Sequence, residues 1–204
     1  MEDAEKLTAA EWAAGKSPWW RAIVLAWPVL AAYHALKHDT ALMDDGFISG
    51  IVSILGALDF QVHEFGHLAF SMFPLFLTVL GGTLVQIGLP LAAGLLLWVK
   101  QRDWFALSFC AAWAAIGIGG AATYCADARA LELDLLGLGG DGGQSDGPYT
   151  GHDWNYMLST LGWLKYDLRI AGFMRMVGGL VLVLSVLNAV RLFWLMLRAK
   201  PASA

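Results

Sequence analysis

His63-Glu64-Phe65-Gly66-His67 sits inside a long apolar stretch, Phe47 to Phe73. On a helix, His63 and His67 lie four residues apart and share one face. That spacing lets two imidazoles grip one zinc ion, with Glu64 beside them as a base for an activated water. Each residue type has a task. Neutral imidazole holds the metal, the carboxylate takes a proton, and an open metal position admits water. Asp59 lies one turn before His63 on the same face. Its carboxylate is placed to accept the second ring N–H of His63 and fix its tautomer. Acids and histidines within apolar flanks are costly in a membrane and call for a functional reason. The plain alternative is a partly wet helix face with paired polar groups.

The surrounding chain sets the class. Its 204 residues are 58% hydrophobic and only 15% charged, and the mean hydropathy is +0.58. These values point to an all-α, polytopic transmembrane helix bundle with membrane lipid as its first partner. A net charge of −4 offers no basic face for nucleic acid. Cys110 and Cys125 fall in one apolar stretch. On a helix they are about 22 Å apart, too far to bridge. Several of the ten tryptophans stand at stretch ends, where an interfacial belt places them. No cleavable signal peptide is expected at the start of the chain.

Residues 1–18 read as a polar, helical arm, and 19–200 as a single membrane domain carrying the motif helix and a polar connection over 127–153. Pro18 to Arg21 marks an interface. Ala22 to Leu36 is a short first apolar segment, and Pro28 should kink it. His34 and His38 also lie four apart but have no acid between them, which suits interfacial histidines. An acidic loop, His38 to Gly46, precedes the motif segment, which either crosses the membrane or enters it from one side. Pro74 to Val99 and Trp104 to Ala126 are uncharged spans joined by a tight turn, Lys100 to Asp103. Their glycines suit close helix packing. Gln86, a strong amide inside the first of them, either glues two helices or bonds a substrate backbone. Gly139 to Gly147 is irregular. A short interfacial helix follows the His152 loop, and a last span covers Ile170 to Leu197. The total is four to five spans.

A catalytic zinc takes three protein ligands and keeps one position open. His152 is the one histidine downstream of the motif and ranks first as third ligand. Asp127, at the end of an uncharged span, ranks second, and Asp153 ranks behind them, in a supporting role like that of Asp59. Tyr124, Tyr149, Asn155 and Tyr156 are nearby donors. The N-terminal arm, the Lys100–Arg102 turn and the Arg198–Lys200 tail share the positive side if the motif segment does not fully cross. In either arrangement the motif end and the Asp127–Asp153 connection share one face.

The five-residue motif in an apolar helix resembles the site-2 protease class of intramembrane zinc metalloproteases. That resemblance implies cleavage of membrane-anchored polypeptides and a distant Asp as third ligand on a later helix. The Asn-Pro-x-x-Asp-Gly signature of that class is absent, and Asp127 and the His152-Asp153-Trp154 cluster stand nearest to it. The motif, Gly81-Gly82 to Gln86, Asp127-Ala128-Arg129-Ala130 and His152-Asp153-Trp154 together also resemble a group of small bacterial membrane proteins. This likeness runs from Val62 to Leu161 and implies a bacterial inner-membrane location. The expectation is therefore a membrane-integral zinc metallohydrolase, an endopeptidase with Glu64 as general base. His63 and His67 bind zinc with His152 or Asp127, and the substrate is a membrane protein. The rival expectation is a non-catalytic membrane subunit that keeps a structural metal or polar network within a larger complex.

Overall fold

The structure, a computed structural model, describes residues 8–14, 16–37, 47–133, 149 and 151–199. These residues are helical, with no strand among them. The order is α1 (Ala9–Ala13), α2 (Trp19–Lys37), α3 (Phe47–Ala69), α4 (Leu75–Gln101), α5 (Trp104–Ala126), α6 (Asp153–Thr160), a 3₁₀ turn (Leu164–Tyr166) and α7 (Asp167–Arg198). Three helical stretches are long and apolar enough to cross a membrane: Leu75–Gln101, Trp104–Ala126 and Leu164–Arg198. The sequence led to an expectation of four to five. The helices α2 and α3 are formed but do not reach that combination of length and hydropathy among the described residues. The expected loop His38 to Gly46 and the irregular Gly139 to Gly147 stretch lie outside the described residues, as does the side chain of His34.

The centre of the bundle is α5. Of its apolar window, 67% is buried, against 33% for α4 and 28% for the last span. Its sequence explains this. Ala112, Ala114, Ala115, Gly117, Gly119, Ala121 and Ala122 are all buried. Small side chains let α2, α4 and α7 approach its backbone from several sides. Polar bonds add direction. The Ser185 hydroxyl donates to the Ser108 carbonyl at 2.7 Å, and the Asn188 amide donates to the Ser108 hydroxyl at 2.7 Å. In an apolar bundle such a bond is worth roughly 0.6–2 kcal/mol.

The helix ends follow local chemistry. Asp103 caps α5 by accepting from the backbone N–H groups of Phe105 and Ala106, both at 3.0 Å. Thr8 and Glu11 form a reciprocal capping box that starts α1. Trp12 and Ala13 of α1 are buried against Leu25, Phe105, Leu192 and Met196. Within the expected polar arm, Ala9–Ala13 is helical and docked on the bundle. The helix α2 continues through Pro28.

Cations lie over aromatic rings at both ends of the bundle: Arg21 over Trp12 and Trp20, Arg102 over Trp98, Arg191 over Trp104 and Arg198 over Trp194 at one end, and Lys165 and Arg169 over Tyr166 at the other. At the other end α3 turns into α4, α5 ends, α6 lies and α7 begins. The turn between α3 and α4 is tight because Thr78 donates its hydroxyl to the carbonyls of Phe70 and Phe73. Glycine lets the two helices touch. A methyl on Gly66 would run into the Gly81 carbonyl and come within 2.8 Å of the Gly82 Cα. Backbone blocks it on that side, so no rotamer change relieves the clash. Gly66→Ala should destabilise the fold by about 1–3 kcal/mol, the usual range for overpacking. The expected sign is a lower thermal midpoint in detergent than that of wild type or of Gly56→Ala, where nothing lies within 4 Å.

Candidate metal centre

The motif occupies the last two turns of α3, and His63 and His67 point at α4 and α6. The His63 Nε2 and His67 Nε2 atoms are 3.0 Å apart. Both meet one carboxylate oxygen, Asp153 Oδ2, at 2.9 and 3.1 Å. Asp153 is the first residue of α6, ninety positions after His63. These three residues form a group that could hold a metal ion, and among the described residues it has no fourth His, Cys, Asp or Glu.

Each of the three has its remaining polar atom engaged elsewhere. His63 Nδ1 meets Gln86 Oε1 at 3.0 Å. His67 Nδ1 meets the Thr78 carbonyl at 2.9 Å. Asp153 Oδ1 accepts from the Tyr149 hydroxyl at 2.7 Å. The Asp153 backbone N–H donates to the Tyr124 hydroxyl at 3.1 Å. Burial alone would raise the Asp153 carboxyl, but its contacts with His63, His67 and Tyr149 hold it well below the usual carboxylate range. Burial and the Asp153 charge push the Tyr149 phenol up, so it stays a donor. Glu64 is half-buried, its carboxylate takes no hydrogen bond from the described residues, and its charge is felt at His67, Tyr124 and Tyr149.

His152 and Asp127, expected at the metal, face each other instead. His152 Nε2 is 3.3 Å from Asp127 Oδ2, and His152 Nδ1 accepts from the Asn155 backbone N–H at 3.1 Å. His152 is therefore the N-cap of α6, with its ring under that of Tyr124 at 4.2 Å. Burial pushes the imidazole down, and a neutral ring is what a cap accepting through Nδ1 requires. Asp127 also accepts from the backbone N–H groups of Glu132 and Leu133. Those bonds secure a turn in which Leu131 holds a left-handed φ of 55°. The arginines nearest in the sequence and fold are engaged elsewhere: Arg129 binds Asp167 at 2.6 Å, and Arg175 donates to Thr123.

Asp59, placed by the sequence beside His63, reaches it through Gln86. The Gln86 amide donates to Asp59 Oδ2 at 2.5 Å and accepts from His63. Of the expected donors, Asn155 donates its side-chain amide to the Ala128 carbonyl at 2.7 Å. Tyr156 stacks edge-on against Tyr149. The partner that the sequence did not single out is Thr78, through its carbonyl, and Gly82, expected as a helix-packing glycine, also borders both rings. A methyl on Gly82 would lie 2.6 Å from His67 Nε2 and 2.7 Å from His63 Cε1.

No family model, curated protein or solved structure matches this chain.

Two outcomes follow from the geometry. Gly82→Ala should displace both rings, leaving the helix content by circular dichroism intact while the metal content of the purified protein falls. His152→Ala should cost α6 about 1 kcal/mol through its lost cap. Faster amide exchange across α6, with metal content unchanged, would be the corresponding measurement.

Proposed function

We propose that the protein is a membrane-integral zinc hydrolase, an endopeptidase acting on membrane or membrane-proximal polypeptide, with its zinc held by His63, His67 and Asp153. One observation carries this reading. Both Nδ1 atoms face acceptors, so each ring's proton sits on Nδ1. Two bare Nε2 lone pairs and a carboxylate oxygen then converge within 2.9–3.1 Å. That arrangement repels itself unless a positive charge sits among the three atoms. A shared proton satisfies one pair; a divalent cation satisfies all three. Two ligands of a tetrahedral zinc are roughly 3.3 Å apart for bonds of about 2.0–2.1 Å, close to the observed separations.

The donor set favours zinc over the hard cations, because imidazole suits zinc and calcium or magnesium prefer oxygen throughout. The outer bonds from Gln86, Thr78 and Tyr149 are the second-sphere support that such ligands need. Three ligands without a fourth among the described residues is the pattern of a catalytic rather than a structural site. Two histidines of one helix with an Asp from a later helix also matches what the site-2 protease resemblance implies.

Zinc bound there would supply Lewis acidity and a water made acidic near neutrality. The chain supplies the rest. Glu64, adjacent to His63 and without another hydrogen bond among the described residues, accepts the water proton and returns it to the leaving nitrogen. Tyr149 holds Asp153 in place through Oδ1 while Oδ2 faces the imidazoles. The buried walls of α4 and α5 exclude bulk water from behind the rings. The basic, aromatic-rich end of the bundle suits the cytoplasmic face of a bacterial inner membrane. The site then opens on the opposite side, with α2 completing a bundle of four spans and α3 entering the membrane without crossing it.

Elemental analysis of detergent-purified protein tests the metal. About one zinc per chain is expected, lost in His63→Ala, His67→Ala and Asp153→Ala. Zinc kept by Asp153→Ala but lost by His152→Ala would reject the ligand set. Glu64→Gln should keep zinc and lower cleavage of a membrane-anchored substrate at least 100-fold, the low end of a general base's contribution (about 10²–10⁴-fold). Undiminished turnover would remove Glu64 from the mechanism.

A further inference from the structure

We infer that Asp59 is a positioning residue that works through Gln86 to decide which nitrogen of His63 faces Asp153. A primary amide has two ends. If Gln86 presents Oε1 to His63 Nδ1, the ring keeps its proton on Nδ1 and Nε2 is free to bind a cation. If it presents its NH₂ instead, Nδ1 becomes the acceptor and the proton moves to Nε2, which blocks metal binding. Nothing within Gln86 chooses between these states. Asp153 favours the second, since its Oδ2 lies 2.9 Å from His63 Nε2 and would accept that proton. The opposing influence is Asp59. As a carboxylate it can only accept, so the Gln86 NH₂ must turn to it at 2.5 Å and Oε1 must turn to His63.

The setting argues that this is what Asp59 is for. It is 5% exposed, and its Oδ1 has no hydrogen-bond partner among the described residues. A carboxylate buried among apolar helices, with only the Gln86 amide and the Trp113 indole facing it, is expensive, and an asparagine would fill the same space at less cost. At equal size, the carboxylate differs from an asparagine in its charge and in having no group that can donate. The neighbouring helix is shaped to keep the pair still. Gly117 of α5 would place a methyl 3.3 Å from Asp59 Oδ1 and from the Gln86 carbonyl, and Gly120 would place one 3.6 Å from the Gln86 amide nitrogen. The pair is thus enclosed between α3, α4 and α5 with little room to rotate.

The test uses three isosteric proteins: wild type, Asp59→Asn, and Asp59→Asn with Gln86→Glu. In the double variant the carboxylate introduced at position 86 can only accept. It accepts from His63 on one side and from the amide introduced at position 59 on the other, so the polarity of the chain is rebuilt. Ring-¹⁵N-labelled histidine, with His63 assigned by its loss in His63→Gln, reports the protonated nitrogen in metal-free, full-length protein at alkaline pH. Protonated Nδ1 is expected in wild type and in the double variant, and protonated Nε2 in Asp59→Asn. Zinc affinity should fall roughly 10–100-fold in Asp59→Asn, the usual effect of losing an outer partner, and return in the double variant. The same tautomer in all three proteins would overturn the inference, as would a change in Asp59→Asn that the double variant does not reverse. The affinity readout rests on the metal reading above, but the tautomer readout does not. Wild type without zinc binding would therefore count against the metal centre alone, while the nitrogen signals still decide the role of Asp59.

Discussion

Two imidazoles and a carboxylate can meet at one point inside an apolar bundle only if something positive meets them there. This constraint organises the site. His63 and His67 come from one helix and Asp153 from another, and each is held from behind by a different group: Gln86, the Thr78 carbonyl and Tyr149. The outer contacts remove the alternatives by which the three atoms could relieve one another. A ring that carries its proton on Nδ1 keeps its outer acceptor, and Asp153 cannot turn away without releasing Tyr149. Polar groups in such surroundings are costly unless fully partnered. The network turns the facing atoms of His63, His67 and Asp153 toward one point at the centre.

Close packing makes the arrangement possible. Gly66 and Gly81 bring α3 against α4 at backbone contact, and Gly82 leaves room for both rings. On the far side Gly117 and Gly120 let α5 lie against the Asp59–Gln86 pair. Each of these glycines clears space for a specific neighbour rather than giving the chain an unusual turn. Close contact of this kind substitutes for the hydrophobic drive that lipid does not provide between helices. The same surfaces therefore hold the bundle together and align the polar chain within it.

Much of the fold was legible because its signals are local. The boundaries of α5, Trp104 to Ala126, follow from an uncharged run opened by the Asp103 cap, and α4 starts where Pro74 precedes it. The imidazole pair was legible from its spacing. Gln86 stood out as an amide in an uncharged span, yet whether it would bind a substrate or a neighbouring helix depends on what lies across from it. Thr78 contributes through its backbone carbonyl, for which side-chain patterns carry no sign. The span count depended on α2 and α3, which are not among the three stretches long and apolar enough to cross.

Which of two adjacent residues meets the imidazoles turned on one residue of register. His152 and Asp153 are adjacent, and by chemistry alone the histidine suits zinc as well as the acid. A helix start separates them. A cap residue has extended backbone and bends its side chain back over the first turn to meet the N–H groups there. His152 does this, accepting from Asn155, and its other nitrogen then faces Asp127 at the end of α5. The next residue is the first with helical geometry, so its side chain leaves in a different direction, toward α3. A Ser, Thr, Asp or Asn before the apolar turn would have marked the cap in the sequence. A histidine in that position hides it, and it is the carboxylate that follows, not the histidine, that meets the imidazoles of α3.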